Sequence, residues 1–131
     1  MELEKPELKQ PRVLIVDDLE FMRDVIRDIL ENNGFIVAGE APDGFAGYRM
    51  YSSLRPDAVL MDITMPGMDG IESLRRIRKE DPSSCVVMCS ALGEQAYILR
   101  AIRFGAKDFI VKPFRPERVV SALRKALYID E

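Results

Sequence analysis

The sequence predicts a single α/β domain, a three-layer α/β/α sandwich in which helices cover both faces of a parallel sheet. Two observations lead to this fold. Five short apolar runs alternate with five stretches of helical periodicity, about 22 to 27 residues apart, which is the spacing of βα units joined by right-handed crossovers. The apolar runs, residues 58–61 above all, lack the alternating polar residues of a sheet with one solvated face.

Length and composition limit the chain to one module. Its 131 residues are 47% hydrophobic, which is enough for one core and too few for two domains. Residues 1–11 are polar and without period, so we expect a loosely ordered tail before a domain at residues 12–131. The net charge of −3 offers no basic surface for nucleic acid, and the sequence shows no 18-residue apolar run and no secretory pattern. We expect a soluble, cytoplasmic protein that binds neither nucleic acid directly nor membranes.

The residue types that are missing restrict the chemistry. The sequence contains no histidine, which excludes Ser-His and Cys-His pairs and histidine-containing metal sites within this chain. Cys85 and Cys89 lie four residues apart in a predicted strand, so about 13 Å should separate their Cα atoms. That distance is beyond disulfide reach, and we expect buried thiols. Any chemistry must therefore depend on carboxylates, a lysine and hydroxyl groups.

The elements of the first half follow from periodicity. A β-branched run predicts the first strand at Arg12–Val16. The period becomes helical from Leu19, and Gly34 supplies the stop. The next strand is predicted at residues 35–39. Asp43 is a suitable N-cap for the second helix, whose glycines make its pattern the weakest of the five.

The elements of the second half are read in the same way. A capping box at Asp69 opens the third helix, Gly105 closes the fourth, and Pro116 stands at the first position of the fifth. The third to fifth strands are predicted at 58–61, 85–89 and 108–111, and the third to fifth helices begin near residues 70, 94 and 116.

Polar residues stand where four of the predicted strands end. They are Asp17 and Asp18, Asp62, Ser90 and Lys112. Ligands of open parallel sheets bind beyond the carboxyl ends of the strands, so we expect these side chains to share one crevice. Three carboxylates at such short distances from one another repel by about 1 to 4 kcal/mol per pair, so they need a counter-charge. An all-oxygen site of this kind suits Mg2+, or Mn2+.

The other two groups suit phosphoryl chemistry. Lys112 adds a second positive charge and Ser90 a hydroxyl donor, and both fit the oxygens of a phosphoryl group. An aspartate carboxylate can accept a phosphoryl group covalently. The crevice therefore indicates a cation-dependent phosphoryl site centred on Asp62.

These motifs resemble the receiver domain of two-component response regulators, and the whole chain resembles the stand-alone, chemotaxis-type members. The similarity covers about residues 11–128. It is carried by the stretches VLIVDD at 13–18, MDITMPGMDG at 61–70, SA at 90–91 and GAKDFIVKPF at 105–114. The resemblance implies a flavodoxin-like fold with a five-stranded parallel sheet in the order 2-1-3-4-5 and five helices.

The resemblance also implies the metal site. Asp62 would be the phosphoacceptor and a metal ligand. Asp17 and Asp18 would form the acidic pair that binds Mg2+, joined by the backbone carbonyl of Thr64. The implied chemistry is the chain's own phosphorylation, so we expect a phosphoacceptor switch that is not otherwise an enzyme.

A second group of residues would sense the phosphoryl group. Ser90 and Lys112 would contact its oxygens, and Phe109 would be the switch aromatic, in place of the tyrosine often found there. The Lys112-Pro113 peptide bond is expected to be cis. Phosphorylation would then change the face formed by the fourth helix, the fifth strand and the fifth helix.

The implied partners are a sensor histidine kinase or a histidine phosphotransfer protein as donor, and a downstream protein that binds the changed face. In chemotaxis the flagellar motor switch is a candidate target. A phosphorelay shuttle, a receiver fragment of a larger transcriptional or other output regulator, and a phosphorylation-independent binding module are alternatives. A phosphatase of the haloacid dehalogenase type would need an acid where Thr64 stands.

Two further positions bear on the lifetime of the phosphoryl group. In the family, the residues two beyond the phosphoacceptor and two beyond the switch hydroxyl help to place the hydrolytic water, and here they are Thr64 and Leu92. Neither offers a carboxylate or an amide. We therefore expect slow self-dephosphorylation, which suits a regulator served by a separate phosphatase.

Overall fold

The structure, a computed structural model, describes residues 10–91 and 93–128. Within these ranges five strands and five helices alternate along the chain. The strands are β1 Arg12–Val16, β2 Ile36–Ala41, β3 Ala58–Asp62, β4 Val86–Ala91 and β5 Asp108–Lys112. The helices are α1 Glu20–Glu31, α2 Gly44–Leu54, α3 Gly70–Glu80, α4 Gln95–Arg103 and α5 Pro116–Tyr128.

All strand pairs are parallel, and the sheet has the order β2-β1-β3-β4-β5, so the predicted fold is confirmed. The order places β1 beside β3 and β3 beside β4, with β5 at one edge. Since parallel strands end at the same edge of a sheet, the residues that follow all four strands are brought together there.

The core consists of two layers, one on each face of the sheet. Ala58 and Leu60 of β3 pack with α1 and α5, whereas Val59 and Met61 pack with α2, α3 and α4. Every residue of β3 is buried. Burial on both faces explains why the strand has no polar alternation in the sequence.

The second strand differs from its predicted range. It runs over Ile36–Ala41 rather than residues 35–39, and Phe35 is buried just before it. The extension includes Glu40, which looks like a strand terminator in the sequence. The Glu40 carboxylate instead accepts hydrogen bonds from Arg23 and Arg27 of α1, so the charge is neutralised by a helix that packs beside the strand.

Other boundaries shift by one or two residues. β4 begins at Val86 rather than residue 85 and continues to Ala91, and β5 ends at Lys112 rather than residue 111. Both strands are longer because their pairing continues through Ser90↔Val111 and Ala91↔Lys112. Backbone hydrogen bonds thus extend the strands beyond the apolar runs that predicted them.

The predicted helix caps are present in part. The Asp43 side chain accepts a hydrogen bond from the Ala46 amide at 2.8 Å, and Asp69 accepts one from the Glu72 amide at 2.9 Å. The reciprocal half of the capping box at Asp69 was predicted wrongly, because the Glu72 carboxylate pairs with two arginines of its own helix, Arg75 and Arg76. α1 and α4 begin one residue after their predicted starts, at Glu20 and Gln95.

Three smaller expectations concern single features. Cys85 and Cys89 are buried, as predicted. The Lys112-Pro113 peptide bond is cis. Residues 1–9 of the expected tail lie outside the described residues.

None of the helices in the described part of the chain has the length and apolar character needed to cross a bilayer.

Candidate functional site

Three carboxylates meet at the carboxyl edge of the sheet. Asp17 and Asp18 follow β1, and Asp62 is the last residue of β3. One oxygen from each lies within 4.8 Å of the others. Asp17 and Asp62 are only 1% and 8% exposed, whereas Asp18 is half-buried. The Leu19 amide donates to Asp17 Oδ1 at 2.9 Å, and this bond fixes the orientation of the most buried carboxylate.

Lys112 reaches the same cluster from β5. Its Nζ atom lies 3.1 Å from Asp17 Oδ2 and 3.3 Å from Asp62 Oδ1. Burial disfavours the charged ammonium, but the Asp62 and Asp17 carboxylates more than compensate and raise the pKa of Lys112. Lys112 is therefore a fixed positive charge between the ends of β1 and β3.

Asp62 is held in an unfavourable environment for a carboxylate. Burial is the main cause that raises its pKa, and repulsion from Asp17 and Asp18 adds to it. Attraction to Lys112 acts in the opposite direction, and the pKa of Asp62 settles at about 6. The ionised form is thus poorly compensated in the metal-free protein.

The donor set fits a hard divalent cation. Three carboxylates and one ammonium leave the cluster with net negative charge, and every ligand atom it offers is oxygen. Such sites suit Mg2+ or Mn2+ better than the softer metals that select sulfur or imidazole. Thr64 lies two residues after Asp62, at the start of the loop between β3 and α3, where a backbone carbonyl is the predicted further ligand.

The two predicted switch residues, Ser90 and Phe109, lie on the adjacent strands β4 and β5. Ser90 is fully buried near the end of β4, and its hydroxyl has no hydrogen-bond partner among the described residues. Phe109 is half-buried in β5 and packs against the core on the α2–α4 side of the sheet. Ser90 pairs with Val111 and Met88 with Phe109, so Ser90 and Phe109 share one face of two adjacent strands.

The structure adds two residues that sequence reasoning missed. A Cβ atom on Gly70 would lie 2.0 Å from the carbonyl oxygen of Asp62, so only glycine lets α3 begin against the end of β3. Its sequence signal, a glycine after the cap Asp69, predicts only a helix start. The sequence predicts Glu94 only as the start of a helix, but its carboxylate contacts Thr64 and Ala91 beside the site.

Comparison with known proteins agrees with this geometry. The profile of the response regulator receiver domain matches residues 13–124. The chain is 54% identical to the chemotaxis protein CheY of Thermotoga maritima over 114 residues, 87% of this chain and 95% of that protein. It is 52% identical to CheY of Bacillus subtilis over 116 residues, 88% and 97% of the two chains. The CheX–CheY–BeF3–Mg2+ complex from Borrelia burgdorferi contains a similar structure, with TM-score 0.83, 37% identity and 87% coverage of both chains.

Proposed function

The chain belongs to the response regulator receiver domain family, and from that membership we propose that it is a signalling switch that accepts a phosphoryl group on Asp62. The observation that carries the proposal is the convergence of Lys112 and two further carboxylates on a buried Asp62. These groups come from three strands: Asp17 and Asp18 follow β1, Asp62 ends β3 and Lys112 ends β5. A structural ion pair would need one carboxylate beside Lys112, whereas two contact it and Asp18 offers a third carboxylate oxygen within 4.8 Å of theirs.

The transfer step assigns a role to the Asp62 carboxylate. One of its oxygens attacks the phosphorus of a phosphohistidine on a sensor histidine kinase or histidine phosphotransfer protein. A P–O bond forms as the P–N bond breaks, and the electron pair stays on the imidazole nitrogen, which then takes up a proton. This chain has no histidine, so the donor histidine belongs to the partner. Lys112 stabilises the negative charge of the phosphoryl oxygens.

Asp17, Asp18 and Asp62 would hold Mg2+, or Mn2+, together with the carbonyl of Thr64. When bound, the cation supplies the positive charge that allows a dianionic phosphoryl group to approach three carboxylates. The chain then catalyses only its own phosphorylation and slow dephosphorylation and converts no external substrate.

The switch would pass through Ser90 and Phe109. A phosphoryl oxygen on Asp62 offers the Ser90 hydroxyl the acceptor that it lacks among the described residues. Movement of Ser90 frees space on the face that it shares with Phe109, whose ring can then turn inward. The face formed by α4, β5 and α5 would thereby change and bind its target differently.

The relatives support chemotaxis as the pathway. Two proteins that match over most of their length are named as chemotaxis proteins. We infer a cytoplasmic regulator that receives its phosphoryl group from a kinase, controls a protein such as the flagellar motor switch, and is reset with the help of a phosphatase.

The first experiment measures phosphoryl uptake. The protein is incubated with acetyl phosphate and Mg2+, and its intact mass is compared with that of Asp62→Asn. We expect one phosphoryl group on the wild type and none on Asp62→Asn. Asp28→Asn removes an exposed carboxylate of α1 and should behave like the wild type.

Chelation tests the cation. EDTA should prevent uptake, and Mg2+ or Mn2+ should restore it. A folded wild-type protein that takes up no phosphoryl group would overturn the proposal and favour a phosphorylation-independent binding module.

A further inference from the structure

One carboxylate connects the loop after β3 to the end of β4. Glu94 Oε2 accepts a hydrogen bond from the Thr64 hydroxyl at 2.6 Å, and Glu94 Oε1 accepts one from the Ala91 amide at 2.8 Å. Thr64 lies two residues after Asp62, and Ala91 directly follows Ser90 as the last residue of β4. The Glu94 side chain therefore connects the loop after the phosphoacceptor to the strand end that carries the switch hydroxyl.

This arrangement is not an ordinary helix cap. Glu94 precedes α4, but its side chain makes no capping hydrogen bond to that helix. Its backbone carbonyl accepts from the Tyr97 and Ile98 amides and so starts the helix without help from the side chain. Ordering a glutamate side chain costs rotamer entropy. Two charge-assisted hydrogen bonds offset this cost only if the carboxylate stays on Thr64 and Ala91.

The position of Ala91 gives the contact a consequence for Ser90. The two residues are consecutive, so a hydrogen bond that holds the Ala91 amide also limits where the Ser90 hydroxyl can move. In the present arrangement that hydroxyl has no partner in the described part of the chain. An approach of Ser90 toward a phosphoryl group on Asp62 would carry the Ala91 amide with it and strain or break its bond to Glu94.

We propose that Glu94 is a latch that stabilises the unphosphorylated arrangement of the β4–α4 connection and is released when Asp62 is phosphorylated. The proposal rests on the function proposed above and adds its regulation. A contact present in only one of two states shifts the equilibrium toward that state by its own free energy. Loss of the latch should therefore favour the activated arrangement.

The test uses beryllofluoride with Mg2+ as a phosphoryl analogue and NMR titration of the full chain. Glu94→Ala removes both bonds, and Thr64→Val removes one bond while retaining the charge of Glu94. We expect Glu94→Ala to bind beryllofluoride about fivefold more tightly than the wild type and Thr64→Val to show a smaller gain in the same direction. In the ligand-free protein, exchange of the Ala91 amide hydrogen should become about tenfold faster in Glu94→Ala.

Two variants separate the bond from the charge. Glu94→Gln keeps both contacts possible, since its amide can accept from Ala91 and donate to Thr64, and should stay within about twofold of the wild type. Glu31→Gln removes the same charge from the exposed end of α1 and should leave the affinity for beryllofluoride unchanged.

If Glu94→Gln matches Glu94→Ala and Thr64→Val has no effect, electrostatic repulsion explains the data and the latch is overturned. Unchanged binding in Glu94→Ala also overturns it, whereas a wild type that binds no beryllofluoride refutes the proposed function itself.

Discussion

The Lys112 ammonium lies 3.3 Å from the Asp62 carboxylate although β4 separates their strands in the sheet. The same Nζ atom lies 3.1 Å from Asp17, which follows β1. Lys112, on the edge strand β5, therefore extends across β4 and partly neutralises the carboxylates at the ends of β3 and β1. One ammonium cannot compensate three carboxylates, and the remaining negative charge is what a divalent cation would neutralise.

The first prediction concerns stability and pH. Asp62→Asn should raise the free energy of unfolding at pH 7 without Mg2+. Burial raises the pKa of Asp62 from 3.8 to about 6, so the folded chain binds this proton more tightly than the unfolded chain. The associated stability is complete below about pH 4 and is lost as the pH rises through 6. The gain in Asp62→Asn should approach about 3 kcal/mol at pH 7 and disappear near pH 4.

Urea unfolding followed by circular dichroism at several pH values measures this difference. Added Mg2+ should reduce the gain, because a bound cation stabilises the ionised Asp62 of the wild type. Asp28→Asn, an exposed change on α1, should leave the profile unaltered. A less stable Asp62→Asn protein at pH 7 would show that burial does not dominate the environment of Asp62.

The second prediction compares two fully buried serines. The Ser73 hydroxyl donates to the Gly44 carbonyl at 2.8 Å, whereas the Ser90 hydroxyl has no partner among the described residues. Ser73→Ala should lose about 1 to 2 kcal/mol of unfolding free energy, because it leaves a buried carbonyl without its donor. Ser90→Ala should be neutral or more stable by up to about 1 kcal/mol.

The same pair separates stability from switching. Ser90→Ala should bind beryllofluoride and Mg2+ about tenfold more weakly, since it lacks the hydroxyl that meets the analogue. Ser73→Ala should bind with wild-type affinity once allowance is made for unfolding. Equal losses of stability in the two variants would mean that Ser90 already has a partner before phosphorylation.

The sequence predicted the layer architecture because burial on both faces leaves an unambiguous signal in β3. The sequence predicted strand boundaries less accurately where a polar residue belongs to the strand. Glu40 ends the apolar run of β2, yet it remains within the strand because Arg23 and Arg27 neutralise it. That pairing depends on how α1 packs beside β2, and no local pattern contains this information. The order of the strands came from resemblance to a family.

The residues at strand ends were found because an aspartate or lysine after an apolar run is conspicuous. Gly70 and Glu94 were missed for a different reason. Gly70 matters through the distance of its missing Cβ atom from Asp62, and Glu94 matters through contacts to a loop 30 residues away at Thr64. Both relationships are tertiary. Leu92, the other residue considered for water placement, lies outside the described residues.

The third prediction tests the packing of α3 against Asp62. A Cβ atom at Gly70 would lie 2.0 Å from the backbone oxygen of Asp62, which cannot rotate away as a side chain could. Gly70→Ala should therefore cost more than about 3 kcal/mol of unfolding free energy and impair phosphoryl uptake. Gly34→Ala is the control, because nothing lies within 4 Å of its Cβ position.

The Gly34 control isolates backbone conformation from steric contact. Its φ of 87° lies in the left-handed region, so alanine there should cost about 1 kcal/mol and leave uptake unchanged. Denaturation curves and the acetyl phosphate assay measure both quantities. Equal costs for the two variants would contradict the proposed close approach of α3 to Asp62.

The last prediction concerns the lifetime of the phosphoryl group. Attack by water on the phosphorus requires a nearby group to orient the water and receive its proton. Thr64 offers only a hydroxyl, which is neither a carboxylate nor an amide. We expect the phosphoryl group to persist for minutes or longer after the donor is removed. Thr64→Gln should shorten this lifetime severalfold, because an amide can orient water.

Thr64→Val is the matched control for the lifetime measurement. It loses the same hydroxyl and the same bond to Glu94 but gains no group that binds water. Decay can be followed by intact mass after rapid removal of acetyl phosphate. If Thr64→Gln alone decays faster, water placement limits hydrolysis at this site. If both variants decay faster, loss of the Thr64 hydroxyl is responsible, and decay of the wild type within seconds would refute the prediction of a slow receiver.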